Sequence, residues 1–364
     1  MVLLIPQAIP SPLAFVSADT LLIAHNHTIY YFDVTTSHLE AFVPFSDSSL
    51  LEDIAYNDKR HEIWVTRRYG SPDQGTYNDL LIIPNDRSQD IVLWDPCSHI
   101  SIAPHCNSIV TLHSQDQTRP GRGQEPPFVC ESSQLLTYFP SISCTADKIV
   151  LMQSLTDDSL DILNPLNIRY AEVSDNTSTV LINTFNGMVF LWNPTTQVVK
   201  NLYTHLSEHL HFGTLSPNGQ WVFIVSSTKG LLLSLNQDRY AFLPKPIESF
   251  GNNEHTHVGK CINRATFSPD NKYLLIISCE QEKYLSPGFL KFTLTPLFML
   301  IFNLETLTIE HAFYYIFAST DYPCEAGALA PGGRTIATLS AQGILRIIDA
   351  ETQKSIAVQL RDGS

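Results

Sequence analysis

The sequence lacks the long apolar run that a membrane-spanning helix requires. None of its uninterrupted apolar stretches reaches about 18 residues, although 44% of its 364 residues are hydrophobic. Charge is also scarce, since only 16% of the residues are charged, and the net charge is −14. Nucleic-acid binding needs a basic stripe, so we expect no nucleic-acid partner. The segment MVLLIPQAIP has no basic residue before its apolar run, which is untypical of a secretory signal. We predict that residues 1–12 form an outer strand or arm.

Helical periodicity and the common catalytic motifs are missing as well. No stretch repeats its apolar residues with the 3.6-residue period of a helix, and the chain has no P-loop, Rossmann fingerprint or His-Glu-x-x-His motif. Its seven cysteines form no C-x-x-C pair. A dispersed, odd set of this kind indicates reduced thiols in a cytoplasmic or nuclear protein. We therefore predict no catalytic residues, no cofactor and no small-molecule substrate.

Two histidine-containing groups are candidates for a metal site. They comprise His205, Glu208, His209 and His211 in one segment, and His99, His105, Cys106 and His113 in another. The first group lies on a link between strands, and spacing pairs it with no cysteine or distant carboxylate. In the second, the adjacent His105 and Cys106 would point to opposite faces of a strand. We predict that neither group binds a metal ion.

What the chain does contain is a repeated pattern of short apolar runs separated by turn residues. The clearest copy is LHFGTLSPNGQWVFIVSSTKGLLLSLN, from Leu210 to Asn236. Runs of about five apolar residues divided by Ser-Pro-Asn-Gly are typical of strands in a β-meander. Eight such units occur: Leu13–Asp33, Asp53–Thr66, Ile100–Ser114, Ser141–Ser154, Ala171–Asn193, Leu210–Asn236, Ile262–Ser278 and Gly327–Asp349.

The spacing of these units predicts a closed β-propeller. Unit starts lie roughly 30 to 60 residues apart, which brackets the blade length of about 40–45 residues. We predict an all-β fold of four-stranded antiparallel blades, formed by residues 1–364 as one domain. The fourth and fifth units lie too close together for four full strands and their turns, so seven blades plus an irregular one is the alternative to eight. Small inner-strand residues should line a crowded channel: Ala55, Gly213, Ala265 and Gly327.

One segment carries a family resemblance. HTHVGKCINRATFSPDNKYLLIIS resembles the GH…V…AFSPDG…LLASGS block of the WD40 propeller family, and LWDP (93–96) and FLWNP (190–194) are similar to its Trp-Asp ending. The resemblance extends over nearly the whole chain, although no copy has both Gly-His and Trp-Asp. In that family, a buried hydrogen-bond network stabilises each blade, but here only His257 keeps the family's histidine and Phe302 replaces the tryptophan. We therefore expect the network to be mostly absent and apolar packing to stabilise the blades. The resemblance also implies a protein-interaction scaffold.

Three long insertions point to a partner-binding face. The stretches Arg67–Asn78, Gln115–Pro127 and Glu280–Thr295 each fall between the second and third strands of their blade. Antiparallel strands alternate in direction, so these insertions should emerge on one face. Aromatic residues and arginine are enriched at binding hot spots. The predicted partner-binding residues are Arg67, Arg68, Tyr69, Tyr77, Arg119, Arg122, Tyr284, Phe289 and Phe292.

Parts of this surface have an alternative interpretation. Phe289 and Phe292 could fold back over the edge of the sheet instead of meeting a partner. Arg67 and Arg68 are faintly similar to the paired arginines of phosphoinositide-binding propellers, but Tyr69 follows where that motif has glycine. We interpret the two arginines as an exposed, solvated pair at a strand end.

The pattern favours a non-catalytic subunit or adaptor that binds protein partners in a multiprotein complex. The alternative is a propeller enzyme, a hydrolase or an oxidoreductase, with its site at the mouth of the central channel. Three or more carboxylates or histidines from different blades converging there would favour the enzyme.

Overall fold

A computed structural model describes most residues of the chain. These are 12–45, 50–71, 75–84, 90–92, 99–106, 108–115, 133–139, 149–150, 168–175, 179–184, 188–203, 210–226, 230–237, 239–243, 259–281, 284–286, 289–291, 297–315, 324–340 and 342–360. The predicted outer strand or arm at residues 1–12 lies outside them except for Pro12.

The described residues form seven four-stranded antiparallel sheets, which we number as blades 1 to 7. Blade 1 contains β1 (Leu13–Phe15), β2 (Thr20–His25), β3 (Thr28–Asp33) and β4 (His38–Pro44). Blade 2 contains β5 (Leu50–Asn57), β6 (Glu62–Ser71), β7 (Gly75–Pro84) and β8 (Asp90–Val92). Blade 3 contains β9 (His99–Ala103), β10 (Ser108–Gln115), β11 (Ser133–Phe139) and β12 (Ile149–Val150), with a 3₁₀ turn at Pro104–Cys106.

The remaining blades follow the same order. Blade 4 contains β13 (Ile168–Val173), β14 (Val180–Thr184), β15 (Val189–Asn193) and β16 (Val198–Tyr203). Blade 5 contains β17 (Leu210–Leu215), β18 (Trp221–Ser226), β19 (Gly230–Ser234) and β20 (Tyr240–Leu243). Blade 6 contains β21 (Gly259–Phe267), β22 (Tyr273–Gln281), β25 (Leu297–Asn303) and β26 (Thr308–Tyr315), with a separate hairpin of β23 (Tyr284–Ser286) and β24 (Phe289–Lys291). Blade 7 contains β27 (Cys324–Leu329), β28 (Thr335–Ser340), β29 (Ile344–Asp349) and β30 (Ser355–Gln359).

The position of a strand in its blade explains its apolar pattern. The middle strand β14 reads VLINT and is buried at every residue, because both faces of the blade pack against neighbouring blades. The fourth strand β30 reads SIAVQ and has no fully buried residue. Continuous apolar runs therefore mark the middle strands, and mixed sequences mark the outer edge of each blade.

Side-chain packing closes the ring. Each of seven hydrophobic clusters joins two consecutive blades. One of them packs Leu13 and Phe32 of blade 1 with Leu345 of blade 7, so the first and last blades are neighbours. The smallest unites Trp64 and Leu80 of blade 2 with Ile109 of blade 3. The predicted closed all-β propeller is confirmed.

The fourth of the eight predicted units, Ser141–Ser154, is not a separate blade in the described part of the chain. Of Ser141–Ser154, the structure describes Ile149–Val150, and this pair of residues forms β12 against β11 as the fourth strand of blade 3. The strand that contains RYAEV is β13, the first strand of blade 4. The described residues thus form seven blades, which matches the seven of the predicted alternative, whereas the irregular additional blade of that alternative is not seen among them.

The four turns between strands three and four in blades 1, 4, 6 and 7 share one design. An Asp or Asn side chain at the strand end accepts a hydrogen bond from the backbone N–H three residues later, as between Asp349 and Thr352 (2.7 Å). The next residue has a left-handed backbone, for example Gln353 with φ 57°. The accepting residues are Asp33, Asn193, Asn303 and Asp349, and each is followed three positions later by threonine. The side-chain oxygen takes the place of a water molecule as the hydrogen-bond acceptor for the backbone N–H. The turn can therefore remain short.

Two of the small inner-strand residues lie close to the neighbouring blade. A Cβ at Gly327 would overlap Cδ1 of Ile277 in blade 6, and a Cβ at Gly213 would lie 2.9 Å from Oδ1 of Asn183 in blade 4. Close approach of the neighbouring blade therefore requires glycine at both positions. Ala55 and Ala265 are half-buried.

The family resemblance can be followed at two third-strand positions. Trp192 lies on β15 and Phe302 on β25, and both side chains are buried, with 0% and 3% exposure. Phe302 thus takes the third-strand position that the resemblance gives to tryptophan. His257 and the LWDP segment lie outside the described residues.

Candidate partner-binding face

The antiparallel order of every blade divides the ring into two faces. We call the side with the links between strands one and two and between strands three and four the turn face. The side with the links between strands two and three is the insertion face. On the turn face, hydrogen bonds join neighbouring blades: Asn57 Nδ2 donates to Pro104 O (2.6 Å), and Gly332 N donates to Asp270 Oδ2 (2.8 Å). Because these turns are short and hydrogen-bonded to neighbouring blades, the turn face has little room for structural variation.

The insertion of blade 2 is an extended hairpin. The predicted insertion over Arg67–Asn78 is formed by β6 and β7 themselves, which pair continuously from Glu62↔Pro84 to Ser71↔Gly75. Tyr69 and Tyr77 are directly opposed in this ladder. The insertion is therefore a continuation of strands two and three past the end of the blade.

Arg67 is a buried residue of this hairpin. Its Nε and Nη2 donate to Oδ1 and Oδ2 of Asp79 at 3.0 and 2.7 Å, and its guanidinium lies 5.7 Å from the ring centroid of Phe45. Arg67 is 7% exposed and Asp79 is 0% exposed. The expected exposed arginine pair is therefore wrong for Arg67, whose charge is satisfied inside the blade. Arg68 is part-exposed and forms an ion pair with Glu52 of β5.

The insertion of blade 6 carries its own hairpin. After β22 ends at Gln281, β23 and β24 pair through Tyr284↔Lys291 and Ser286↔Phe289 before β25 returns to the blade. The structure thus brings Tyr284 and Phe289 together on one hairpin and Arg68, Tyr69 and Tyr77 on another. Arg119, Arg122 and Phe292 lie outside the described residues.

Carboxylate side chains of blades 2 and 4 lie on the inner strands. A β-bulge in β5 places Glu52 and Asp53 between Leu51 and Ile54. On β13, Glu172 accepts a hydrogen bond from Thr214 Oγ1 of the next blade (3.0 Å). Burial raises the pKa of Glu172 to about 8, opposed by hydrogen bonds from Leu215 and Thr214, and the charge of Asp53 raises it further. The charge of Asp53 in blade 2 thus makes the smallest of these contributions to the raised pKa of Glu172 in blade 4.

Glu52 also has an unusual pKa. Burial raises the pKa of Glu52 to about 7, although the charge of Arg68 lowers it. Glu52 and Glu172 are thus the two carboxyl groups of the described residues whose pKa burial raises.

The turn face holds a cluster that sequence spacing did not reveal. Nε2 of His105 in blade 3 lies 3.0 Å from Oδ1 of Asp58 in blade 2, and its Nδ1 binds Oδ2 of Asp175 in blade 4. The His105 backbone N–H also donates to Asp175 Oδ1 (3.0 Å). We had grouped His105 with Cys106 as a possible metal ligand, whereas both of its ring nitrogens face carboxylates. Asp175 lies 70 positions away, so the contact depends on the ring.

We expect His105 to stabilise the protein in a pH-dependent way. The hydrogen bond with Asp175 is the main cause of the raised pKa of His105, with added attraction from Asp175 and Asp58. A histidine whose folded pKa exceeds its unfolded pKa contributes fully below about pH 6.5, and this contribution is lost as the pH rises through the folded pKa. Because Asp58 is largely exposed, His105→Gln should cost only about 1 kcal/mol at pH 6.

Urea unfolding at pH 6 and pH 9 measures this cost. The difference between wild type and His105→Gln should shrink at pH 9, while His311→Gln on the outer strand β26 serves as the control. An equal difference at both pH values would contradict the role of the His105 charge.

The described residues contain no group of three or more His, Cys, Asp or Glu side chains that could hold a metal ion. In the same part of the chain, no helix has the length and apolar character to cross a membrane.

Comparison with known proteins establishes the fold. No family model and no curated protein sequence matches this chain. Among solved structures, the chain is similar to one in the "Crystal Structure of Mitotic Checkpoint Complex", with a TM-score of 0.53 and 9% identity over 93% of this chain and 89% of that chain. In all, 1199 solved chains match, so a fold this common does not by itself identify a function.

Proposed function

We propose that this protein is a non-catalytic, WD40-like interaction scaffold that binds a protein partner through its insertion face. The observation that carries the proposal is the hairpin β23–β24, an additional element inserted between strands two and three of blade 6. Its sequence continues as Phe289-Leu290-Lys291-Phe292. Apolar and aromatic residues in such a connection are typical of a protein-binding site.

The second hairpin supports the same face. β6 and β7 extend blade 2 on the same side, because both connections join strands two and three. Tyr69 and Tyr77 oppose one another there, and tyrosine is enriched at interfaces. We do not propose Arg67 as a partner-binding residue, because its charge is paired with Asp79 inside the blade. Arg68, Tyr69, Tyr77, Arg119, Arg122, Tyr284, Phe289 and Phe292 remain in the set.

The similar solved chain belongs to a multiprotein assembly, which agrees with a role as a complex subunit or adaptor. The dispersed cysteines support a location in the cytoplasm or nucleus, which a fluorescent fusion would test. Localisation to a secretory compartment would contradict it.

A propeller enzyme is the second candidate, and Glu172 is the observation that favours it. A carboxyl group with a pKa of about 8 at the inner strands has the character of a general acid. A substrate screen of wild type and Glu172→Gln tests this candidate. Hydrolase or oxidoreductase activity that disappears in the variant would favour the enzyme over the scaffold.

The partner-binding face is tested with the double variant Phe289→Ser/Phe292→Ser. Loss of two aromatic hot-spot side chains should weaken partner binding at least about thirty-fold, the equivalent of roughly 2 kcal/mol. Affinity purification with quantitative mass spectrometry identifies the partner, and titration of the purified pair measures the change.

The matched control is Ile309→Ser, an apolar-to-polar change at a 44% exposed position of the outer strand β26. It should leave partner recovery unchanged. If the double variant melts normally and recovers its partner at the wild-type level, the proposed face is wrong. If the double variant unfolds instead, the two phenylalanines cover the sheet edge.

A further inference from the structure

Among the described residues, the first hairpin of blade 6 is longer than those of blades 4, 5 and 7. In those three blades, the last described pair between strands one and two has a hydroxyl-bearing residue on the second strand: Ile168↔Thr184, Leu210↔Ser226 and Cys324↔Ser340. The equivalent pair in blade 6 is Ile262↔Ser278, but here the ladder continues through three further pairs to Gly259↔Gln281. β21 and β22 therefore form a stalk that leads towards the hairpin β23–β24.

The stalk places two cysteines in register. Cys261 on β21 is directly opposite Cys279 on β22. Opposed residues in an antiparallel ladder have Cα atoms about 4.5 or 5.5 Å apart, depending on the type of pair. Disulfides span Cα distances of roughly 4.4–6.8 Å, so either type of pair meets the backbone requirement.

We propose that Cys261 and Cys279 form a reversible disulfide when the protein meets a peroxide. One thiolate attacks the peroxide O–O bond, which gives a sulfenic acid and releases an alcohol, or water when the oxidant is hydrogen peroxide. The second thiolate attacks this sulfur and forms the S–S bond, while the sulfenic oxygen leaves as water after protonation. Two thiols are oxidised, one peroxide is reduced, and a dithiol reverses the step by exchange.

The strand register distinguishes the pair Cys261 and Cys279 from Cys324, which lies at a similar position in blade 7. Cys324 also lies near the insertion-face end of a first strand, but the residue opposite it is Ser340. Cys324 therefore has no thiol across its own ladder and provides an internal reference. Closing Cys261 and Cys279 would join β21 to β22 covalently and limit separation of the two strands below β23–β24.

The test uses the full chain in its folded state. The reduced protein is treated with hydrogen peroxide, remaining thiols are blocked with N-ethylmaleimide, and a digest made without reductant is analysed by mass spectrometry. We expect the main cross-linked product to join the peptides of Cys261 and Cys279, with loss of two hydrogen atoms and full return of both thiols after dithiothreitol. Cys324→Ser should form the same product.

In the variants Cys261→Ser and Cys279→Ser, the remaining cysteine of the pair should form no disulfide and should be recovered either blocked by N-ethylmaleimide or oxidised to the sulfenic acid or beyond. The wild-type measurement needs no substitution, so a variant that fails to fold does not affect the outcome. Blocking of Cys261 and Cys279 to the same extent as Cys324 after peroxide treatment would overturn the proposal. So would a dominant disulfide between other cysteines.

Discussion

Asp79→Ala is expected to lower the free energy of unfolding by about 3–5 kcal/mol, since it leaves the Arg67 charge buried without its partner. Asp79 is fully buried and receives both Arg67 hydrogen bonds, at 3.0 and 2.7 Å. The ring of Phe45 contacts one side of the guanidinium but supplies no counter-charge. Urea unfolding at neutral pH measures the loss.

Two controls separate the buried charge from a general loss of packing. Arg67→Met combined with Asp79→Leu removes both charges, and its stability should recover to near the wild-type value, because apolar residues can replace a buried ion pair. Arg334→Gln breaks ion pairs with Asp349 (2.9 Å) and Glu351 (3.2 Å), in which the arginine and Glu351 are well exposed, and it should cost less than about 1 kcal/mol. If Asp79→Ala costs no more than Arg334→Gln, Arg67 has another route to water and the assignment is wrong.

Glu172→Gln is expected to stabilise the protein above pH 8 by about 2–4 kcal/mol. Burial raises the pKa of Glu172 from 4.5 to about 8, so the folded protein binds this proton more tightly than the unfolded chain. Folding therefore becomes less favourable as the pH rises from about 4.5 to about 8, by roughly 1.4 kcal/mol for each pKa unit. We reduce the full value because Glu172 keeps partial contact with solvent.

The size of this effect should depend on pH. Glutamine keeps an oxygen that can accept the hydrogen bond from Thr214 Oγ1 but has no charge to bury, so the two proteins should be nearly equal in stability at pH 4. Thermal or urea unfolding from pH 4 to pH 9 measures the divergence, and the exposed Glu305→Gln is the matched control. A constant difference over this range would mean that the Glu172 proton does not contribute.

The sequence predicted the blades because their signals are local. The stretch Leu210–Asn236 divides into strands through its own turn residues, and the structure places β17, β18 and β19 within it. The alternation of strand direction also identified which connections share a face. The unit at Ser141–Ser154 was misleading because a short apolar run resembles the start of a blade, whereas β12 pairs backward onto β11.

The candidate site was less accessible to sequence reasoning because its contacts join distant blades. Nothing near His105 in the sequence indicates Asp58 or Asp175, which approach it only once blades 2, 3 and 4 are neighbours. Arg67 resembled an exposed strand-end residue because the extension of β6 beyond it was not foreseen. The register of Cys261 with Cys279 likewise depends on a bulge after Ile262 that shifts the ladder.

The Asp and Asn turns between strands three and four have a practical consequence for binding measurements. All four lie on the turn face, on the opposite side of the ring from β23–β24. Lys354, an exposed residue at one of these turns, is therefore a suitable attachment point for coupling the protein to a sensor chip. A protein anchored there would direct its insertion face towards the flowing analyte, whereas attachment near β23–β24 would hide it.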